Sequence, residues 1–254
     1  MNEINTKDLW IDTKLSQEEM DFLWECISEE NKENWNFNLA GNISKSELIQ
    51  DKDNWFYKTV LKKLTDKMFY REDNNYYKYH VEKEEKKPKF KLNTMWVNYQ
   101  KKHEFNPLHI HNSGKGFSFV IFVKIPTHWE EQHELPISAN SNTRVASNFA
   151  FVWTEMDSKI CKSIDFRLCP DDEGRMLFFP SWLMHQVYPF YGTEEERITI
   201  SGNINSVSKE QDSQPIPLTV NEDSYESKAR VIELMENKII NMKLDLKKME
   251  KNKK

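Results

Sequence analysis

Two hydrophobic periods run along this chain, one helical and one extended. "LSQEEMDFLWECISEE" sets Met20, Leu23, Trp24 and Ile27 on one helical face, behind a Ser16–Glu19 capping box. "DNWFYKTVLKKLTDKMFYR" predicts a second amphipathic helix, with Phe56, Val60, Leu64 and Met68 in register. Between them, "NLAGNISKSEL" predicts a loop that turns at Gly41, and "HVEKEEKKPKF" a charged connector around Pro88. From Thr94 the period drops to two. Met95, Val97 and Tyr99 alternate with Trp96 and Asn98, and Phe117, Phe119, Ile121, Val123 and Ile125 share one face of a long strand.

Strands are predicted at 94–100, 107–111, 117–125, 149–154, 163–168, 175–179, 184–189 and 196–203. Short strands separated by turn signals point to a mainly β sandwich of the jelly-roll kind with flanking helices. The connection from Pro126 to Ser147 is long, as lids and binding loops often are. After Val207, "SKEQDSQPIP" has the composition of a linker. From Tyr225 a helix carries Ile232, Met235, Ile239, Met242, Leu246 and Met249 as an a/d seam. That seam could form a homodimer or pack on the N-terminal helices of its own chain. The second is favoured, because those helices need partners. The expected organisation is helical support over 1–90, a β core over 91–206, a linker over 207–220 and a C-terminal helix over 221–254.

Composition narrows the class. With 38% hydrophobic and 13% aromatic residues in 254, ordinary disorder is excluded for most of the length. A net charge of -5 argues against a nucleic-acid partner, and the basic "KLDLKKMEKNKK" reads as a solvated helix end. Cys26, Cys161 and Cys169 form no CxxC pair and are odd in number, so core thiols are expected rather than disulfides or structural zinc. "MNEINTKDLW" has neither the basic start nor the apolar block of a signal peptide, and no run suits a membrane span. The expectation is a cytoplasmic protein.

Candidate chemistry lies in "FNPLHIHNSGKG". His109 and His111 are two apart, so in a strand both face one way, and two neutral imidazoles can hold a first-row metal ion. A third ligand must come from elsewhere, and "GRMLFFPSWLMHQVYPF" offers His185 behind a turn at Gly174. "ERITISGN" follows, placing Arg197, Thr199 and Ser201 on one face. A guanidinium with a nearby hydroxyl suits a carboxylate. Each element has a plainer reading: exposed histidines at a turn, a satisfied core histidine, and an Arg197 ion pair with Glu194, Glu195 or Glu196.

Together, "HIHNSGKGFSFVIFV", "GRMLFFPSWLMH" and "RITISGN" resemble the 2-oxoglutarate/Fe(II)-dependent oxygenase superfamily, especially its small members from phages and marine bacteria. "NLAGNI" looks like a stretch found in phage members. The resemblance implies a double-stranded β-helix and an oxidoreductase in the cytoplasm, a phage-infected host's included. It implies His109, His111 and His185 as catalytic iron ligands, Arg197 with Thr199 as the 2-oxoglutarate clamp, and Asn98 and Tyr99 as further co-substrate contacts. Fe(II), 2-oxoglutarate and O2 would then hydroxylate a small molecule or a prolyl peptide, releasing succinate and CO2. His111 departs from the superfamily, which has a carboxylate there; Glu104 and Asp165 are the nearest acids. Two rivals stand beside this reading: a three-histidine cupin-type oxygenase without 2-oxoglutarate, and a non-enzymatic jelly-roll protein.

Overall fold

The computed structural model describes residues 9–30, 32–70, 89–111, 116–154 and 159–207. The linker and the C-terminal seam helix lie outside the described residues, as does most of the charged connector. All eight strands expected from the period-two pattern are present. Short strands β1 (Ile11–Lys14) and β2 (Lys45–Leu48) precede them. The eight are β3 (Lys89–Gln100), β4 (Asn106–His109), β5 (Gly116–Lys124), β6 (Phe149–Thr154), β7 (Cys161–Phe166), β8 (Arg175–Pro180), β9 (Met184–Val187) and β10 (Arg197–Val207).

They form two antiparallel sheets, a six-stranded one ordered β1-β8-β5-β10-β3-β2 and a four-stranded one ordered β4-β9-β6-β7. From β3 onward the chain passes back and forth between the sheets, with only β6 and β7 as consecutive strands of one sheet. This is the double-stranded β-helix form of the jelly roll. β1 and β2 extend the six-stranded sheet at its two edges, so the N-terminal region supplies strands as well as helices. At four residues each, they are too short to show a period.

The six-stranded sheet carries a core on each face. On its outer face lie α1 (Gln17–Ser28), a π-helical turn at Tyr57–Leu61 and α2 (Lys62–Phe69). Ser16 and Glu19 form the expected capping box, with Ser16 Oγ accepting from the Glu19 N–H at 3.3 Å. Leu23, Cys26 and Ile27 are the buried positions of α1, while Trp24 is 37% exposed. The apolar stripe is centred one position further round than the four-residue pattern implied. In the second helix, the wide π turn adds Leu61 beside Phe56 and Val60, and Leu64 is only partly buried. The Asp51 carboxylate accepts from the N–H groups of Phe56 and Tyr57, both at 2.8 Å, and so starts this helix.

These helices meet Met95, Val97, Phe117, Phe119, Ile121, Phe178, Ile200 and Ile204 of the sheet. Between the two sheets lies the second core, of Phe122, Phe149, Phe151, Phe166, Leu177 and Phe179 among others. Ile125 joins this second core instead of the Phe117 face, because the strand ends at Lys124 and the chain turns there. Of the three cysteines only Cys26 is a core thiol; Cys161 is exposed and Cys169 half-buried, and none is disulfide-bonded. Among the described residues no helix is long and apolar enough to cross a membrane.

Candidate metal centre and carboxylate clamp

β4 and β9 are neighbours in the smaller sheet, and their register sets His109 directly opposite His185. His111 lies two residues past His109, just beyond the strand end, where its N–H donates to Ser181 O at 3.0 Å. The three imidazole centroids are 4.2, 5.0 and 5.5 Å apart. One nitrogen of each lies within 4.8 Å of the others, and among the described residues this is the one cluster that could hold a metal ion.

Which nitrogens are available follows from the hydrogen bonds. His109 Nδ1 is 2.7 Å from Pro107 O, and His185 Nδ1 is 2.9 Å from Leu183 O. A carbonyl oxygen only accepts, so each Nδ1 carries the proton and each Nε2 keeps its lone pair. His111 Nδ1 lies 2.5 Å from Asn203 Oδ1, with the same consequence. A neutral imidazole with Nδ1–H engaged is the form that binds a metal through Nε2. Burial pushes all three downward in pKa. His109 lies below the usual histidine value; His111 falls to about 4, helped by the neighbouring His109; His185, fully buried beside both, lies well below. At neutral pH the cluster is therefore three uncharged donors. Phe179, Phe149 and Phe151 surround His185 with rings at 4.9, 6.0 and 6.5 Å and keep that side dry.

Neither acid considered as a substitute ligand joins the cluster. Glu104 accepts with its two oxygens from the N–H groups of Ser44 and Lys101, at 3.0 and 2.8 Å. Asp165 lies among Asn148, Arg167 and His133.

A polar ladder leads away from the histidines. Along β10 and β3 the cross-strand partners are Asn203 and Thr94, Ser201 and Trp96, Thr199 and Asn98, and Arg197 and Gln100. Alternation aims these side chains at the space between the sheets. Trp96 stacks over His111 at 6.0 Å, and its Nε1 is buried without a protein partner. Asn98 accepts from Ser46 Oγ at 2.9 Å. Tyr99, expected near the co-substrate, points the other way into the helix-side core, with Lys45 4.1 Å over its ring. A one-residue step along a strand reverses the face, so Asn98 and Tyr99 cannot both reach the same space.

Arg197 ends the ladder. It is fully buried, 5.1 Å over Phe190, and pairs with none of Glu194, Glu195 or Glu196. Glu194 binds Lys102 and Glu195 binds Lys124. Nη2 of Arg197 donates to Ser147 O at 2.9 Å and to Ser147 Oγ, while Nε and Nη1 are buried with no partner. Burial lowers this guanidinium to about 9. A buried cation with unpartnered donors is costly unless an anion arrives, so the arrangement fits a carboxylate ligand.

Ser147 escaped the reading of the sequence. It closes the 126–147 connection, is fully buried and sits at φ +71°, a left-handed conformation rare for serine. Its N–H donates to Pro189 O at 2.9 Å, which anchors the turn beneath Arg197. Nothing local marks such a serine. The same connection contains a short helix, α3 (Trp129–Glu134), where Arg167 lies 4.7 Å over Trp129. The "NLAGNI" loop also has a place. Asn42 and Phe105 exchange backbone hydrogen bonds of 3.0 and 3.3 Å, and a Cβ on Gly41 would meet Phe105 O at 2.3 Å. Only glycine lets that loop press against the start of β4.

Fold and site together define a β-sandwich with three histidines able to hold a metal ion and a buried guanidinium that fits a carboxylate. Residues 94–203, from within β3 to within β10, match the model of the family described as "Putative 2OG-Fe(II) oxygenase". No curated protein matches the chain in sequence. Among solved structures, a prolyl-4-hydroxylase from Pseudomonas putida is 12% identical with a TM-score of 0.44, covering 79% of this chain and 94% of that one. A 2OG-Fe(II) oxygenase family oxidoreductase from Burkholderia pseudomallei is 9% identical, TM-score 0.47, covering 78% and 84%. The non-heme alpha ketoglutarate dependent epimerase SnoN from nogalamycin biosynthesis is 12% identical, TM-score 0.48, covering 78% and 76%. Likenesses this distant say nothing of reaction or substrate.

Proposed function

We propose that this protein is an iron(II)- and 2-oxoglutarate-dependent dioxygenase that hydroxylates a C–H bond of a small molecule or a prolyl peptide. His109, His111 and His185 would hold the iron through Nε2. Arg197 would take the far carboxylate of 2-oxoglutarate, with Thr199 and Asn98 as polar neighbours along the ladder. The observation that carries this reading is the buried, unpartnered edge of Arg197, reached from the histidines by a continuous polar strip. A cupin-type oxygenase without 2-oxoglutarate has no need of such a cation, and a structural jelly roll has no use for either feature.

Iron(II) with 2-oxoglutarate and dioxygen supplies oxidative chemistry that ends in succinate, CO2 and an oxidised substrate. The rest is done by the chain. Three imidazoles kept neutral by burial offer lone pairs without first losing protons. Ser147 holds Nη2 of Arg197, which leaves Nε and Nη1 to bind and orient an anion. Phe149, Phe151 and Phe179 exclude water from the His185 side.

The test is succinate formation from 2-oxoglutarate by anaerobically iron-loaded protein on exposure to oxygen. His185→Ala should abolish both iron binding and succinate formation, and full retention of both would sink the assignment. Arg197→Met should keep iron yet need about 10- to 100-fold more 2-oxoglutarate, as expected for losing hydrogen bonds to a charged group. An unchanged requirement would place the clamp elsewhere. Oxygen uptake with added organic substrates but no 2-oxoglutarate would favour the cupin-type enzyme.

A further inference from the structure

The three histidines are not anchored alike. His109 and His185 each tie Nδ1 to the carbonyl two residues earlier, a contact their own strands supply. His111 lies beyond the end of β4, and its Nδ1 is held differently. Its partner is a side chain from the opposite sheet, Asn203 on β10, at 2.5 Å.

Asn203 is itself held. Its strand lies between β3 and β5, and its cross-strand partners are Thr94 on one side and Ser118 on the other. Ser118 Oγ, fully buried, donates to Asn203 Oδ1 at 2.9 Å, while Nδ2 faces Thr94 Oγ1 at 3.5 Å. Two donors therefore converge on Oδ1, the serine hydroxyl and His111 Nδ1–H. The opposite amide orientation would turn an NH2 group toward both. His111 Nδ1 would then accept, its proton would move to Nε2, and the lone pair facing the other histidines would be gone.

We infer that Asn203 is the positioning residue for His111, holding it as the Nδ1–H tautomer so that Nε2 completes the metal centre. The inference rests on the iron-site reading above and gives it a device specific to this chain. An amide orients the imidazole without adding charge, so the centre keeps three neutral donors. A carboxylate at 203 would accept the same hydrogen bond and hold the same tautomer while strengthening the ligand. Asn203→Asp is thus the conservative variant, and Asn203→Leu removes the acceptor while keeping the branching and the number of side-chain heavy atoms.

Two readouts decide it. The first is the ring-nitrogen NMR of metal-free protein labelled with 15N-histidine, with the His111 signals assigned through His111→Gln. Wild type and Asn203→Asp should show a protonated Nδ1 at His111. Asn203→Leu should lose that preference, with His109 and His185 unchanged. The second is Co(II) affinity, used as an iron surrogate: about 10- to 100-fold weaker in Asn203→Leu and restored in Asn203→Asp. A Tm of metal-free Asn203→Leu close to wild type keeps a folding defect apart from this effect. An Nε2–H tautomer in wild type, or wild-type Co(II) affinity in Asn203→Leu, overturns the role of Asn203. If the tautomer is as stated but the unmutated protein takes up no Co(II), the metal-centre reading itself falls.

Discussion

On one side of β10, Ile198, Ile200 and Ile204 enter a core filled by phenylalanines and by the aliphatic face of two helices. On the other, the same strand presents Arg197, Thr199, Ser201 and Asn203 to a space that also holds three histidines. The first face leaves nothing polar to satisfy. The second holds a buried guanidinium with two unpartnered nitrogens and an indole N–H without an acceptor. The contrast separates tasks within one strand: the helix side is apolar packing, and the inter-sheet side carries buried polar groups, some of them with donors left over for a ligand.

The largest test of this division removes packing from the helix side. Phe178 is fully buried there, stacked on Phe117 at 5.3 Å. Phe178→Ala should cost about 3–5 kcal/mol in chemical denaturation yet leave the Co(II) affinity of the folded protein unchanged. A matching loss of affinity would join the two faces into one unit.

The next effect comes from the other face through pH. All three histidines are held below their ordinary value, so between about 6.5 and about 4 the unfolded chain takes up protons that the folded chain refuses. Stability of metal-free protein should be full above about 6.5 and fall as pH drops through that window. His111 alone accounts for roughly 3 kcal/mol over its fall from 6.5 to about 4. Denaturation midpoints at a series of pH values check this. Flat stability down to the carboxylate range would mean that the imidazoles are not buried as described.

Smaller, and opposite in sign to an ordinary core mutation, is Arg197→Met measured without ligand. Deleting a buried cation that lacks an anion should leave Tm unchanged or raise stability by about 1 kcal/mol, even as the 2-oxoglutarate requirement grows. A large destabilisation would show that Arg197 serves the fold through Ser147. Smallest and furthest from the site, Ser16→Ala should cost about 1 kcal/mol through loss of the capping box, with iron binding and turnover untouched.

Much of this contrast is visible in the one-dimensional pattern. The eight core strands follow from period-two apolar runs and their turn signals, and Gly174 at φ +85° opens β8 as its place in the sequence suggests. His109, His111 and His185 can be picked out because histidines are few and two of them are spaced for one strand face. The edge strands β1 and β2 escaped because four residues cannot display a period. The start of β3 escaped because Lys89–Asn93 is exposed or half-buried and reads as connector. Period two sets Tyr99 with Met95 and Val97, as the structure has it, so the resemblance that pairs it with Asn98 as a co-substrate contact conflicts with the strand's own alternation.

Local sequence determined which segments become strand or helix and which residue types can serve as donors, since those depend on period, capping and side-chain chemistry. Tertiary structure alone decided that His109 faces His185, that Asn203 rather than a backbone carbonyl sets the His111 tautomer, and that Arg197 is buried instead of paired at the surface. Those outcomes depend on strand register and on which sheet faces which, and they join residues up to 92 positions apart. No local preference encodes such a pairing; it exists only once the two sheets have closed on each other.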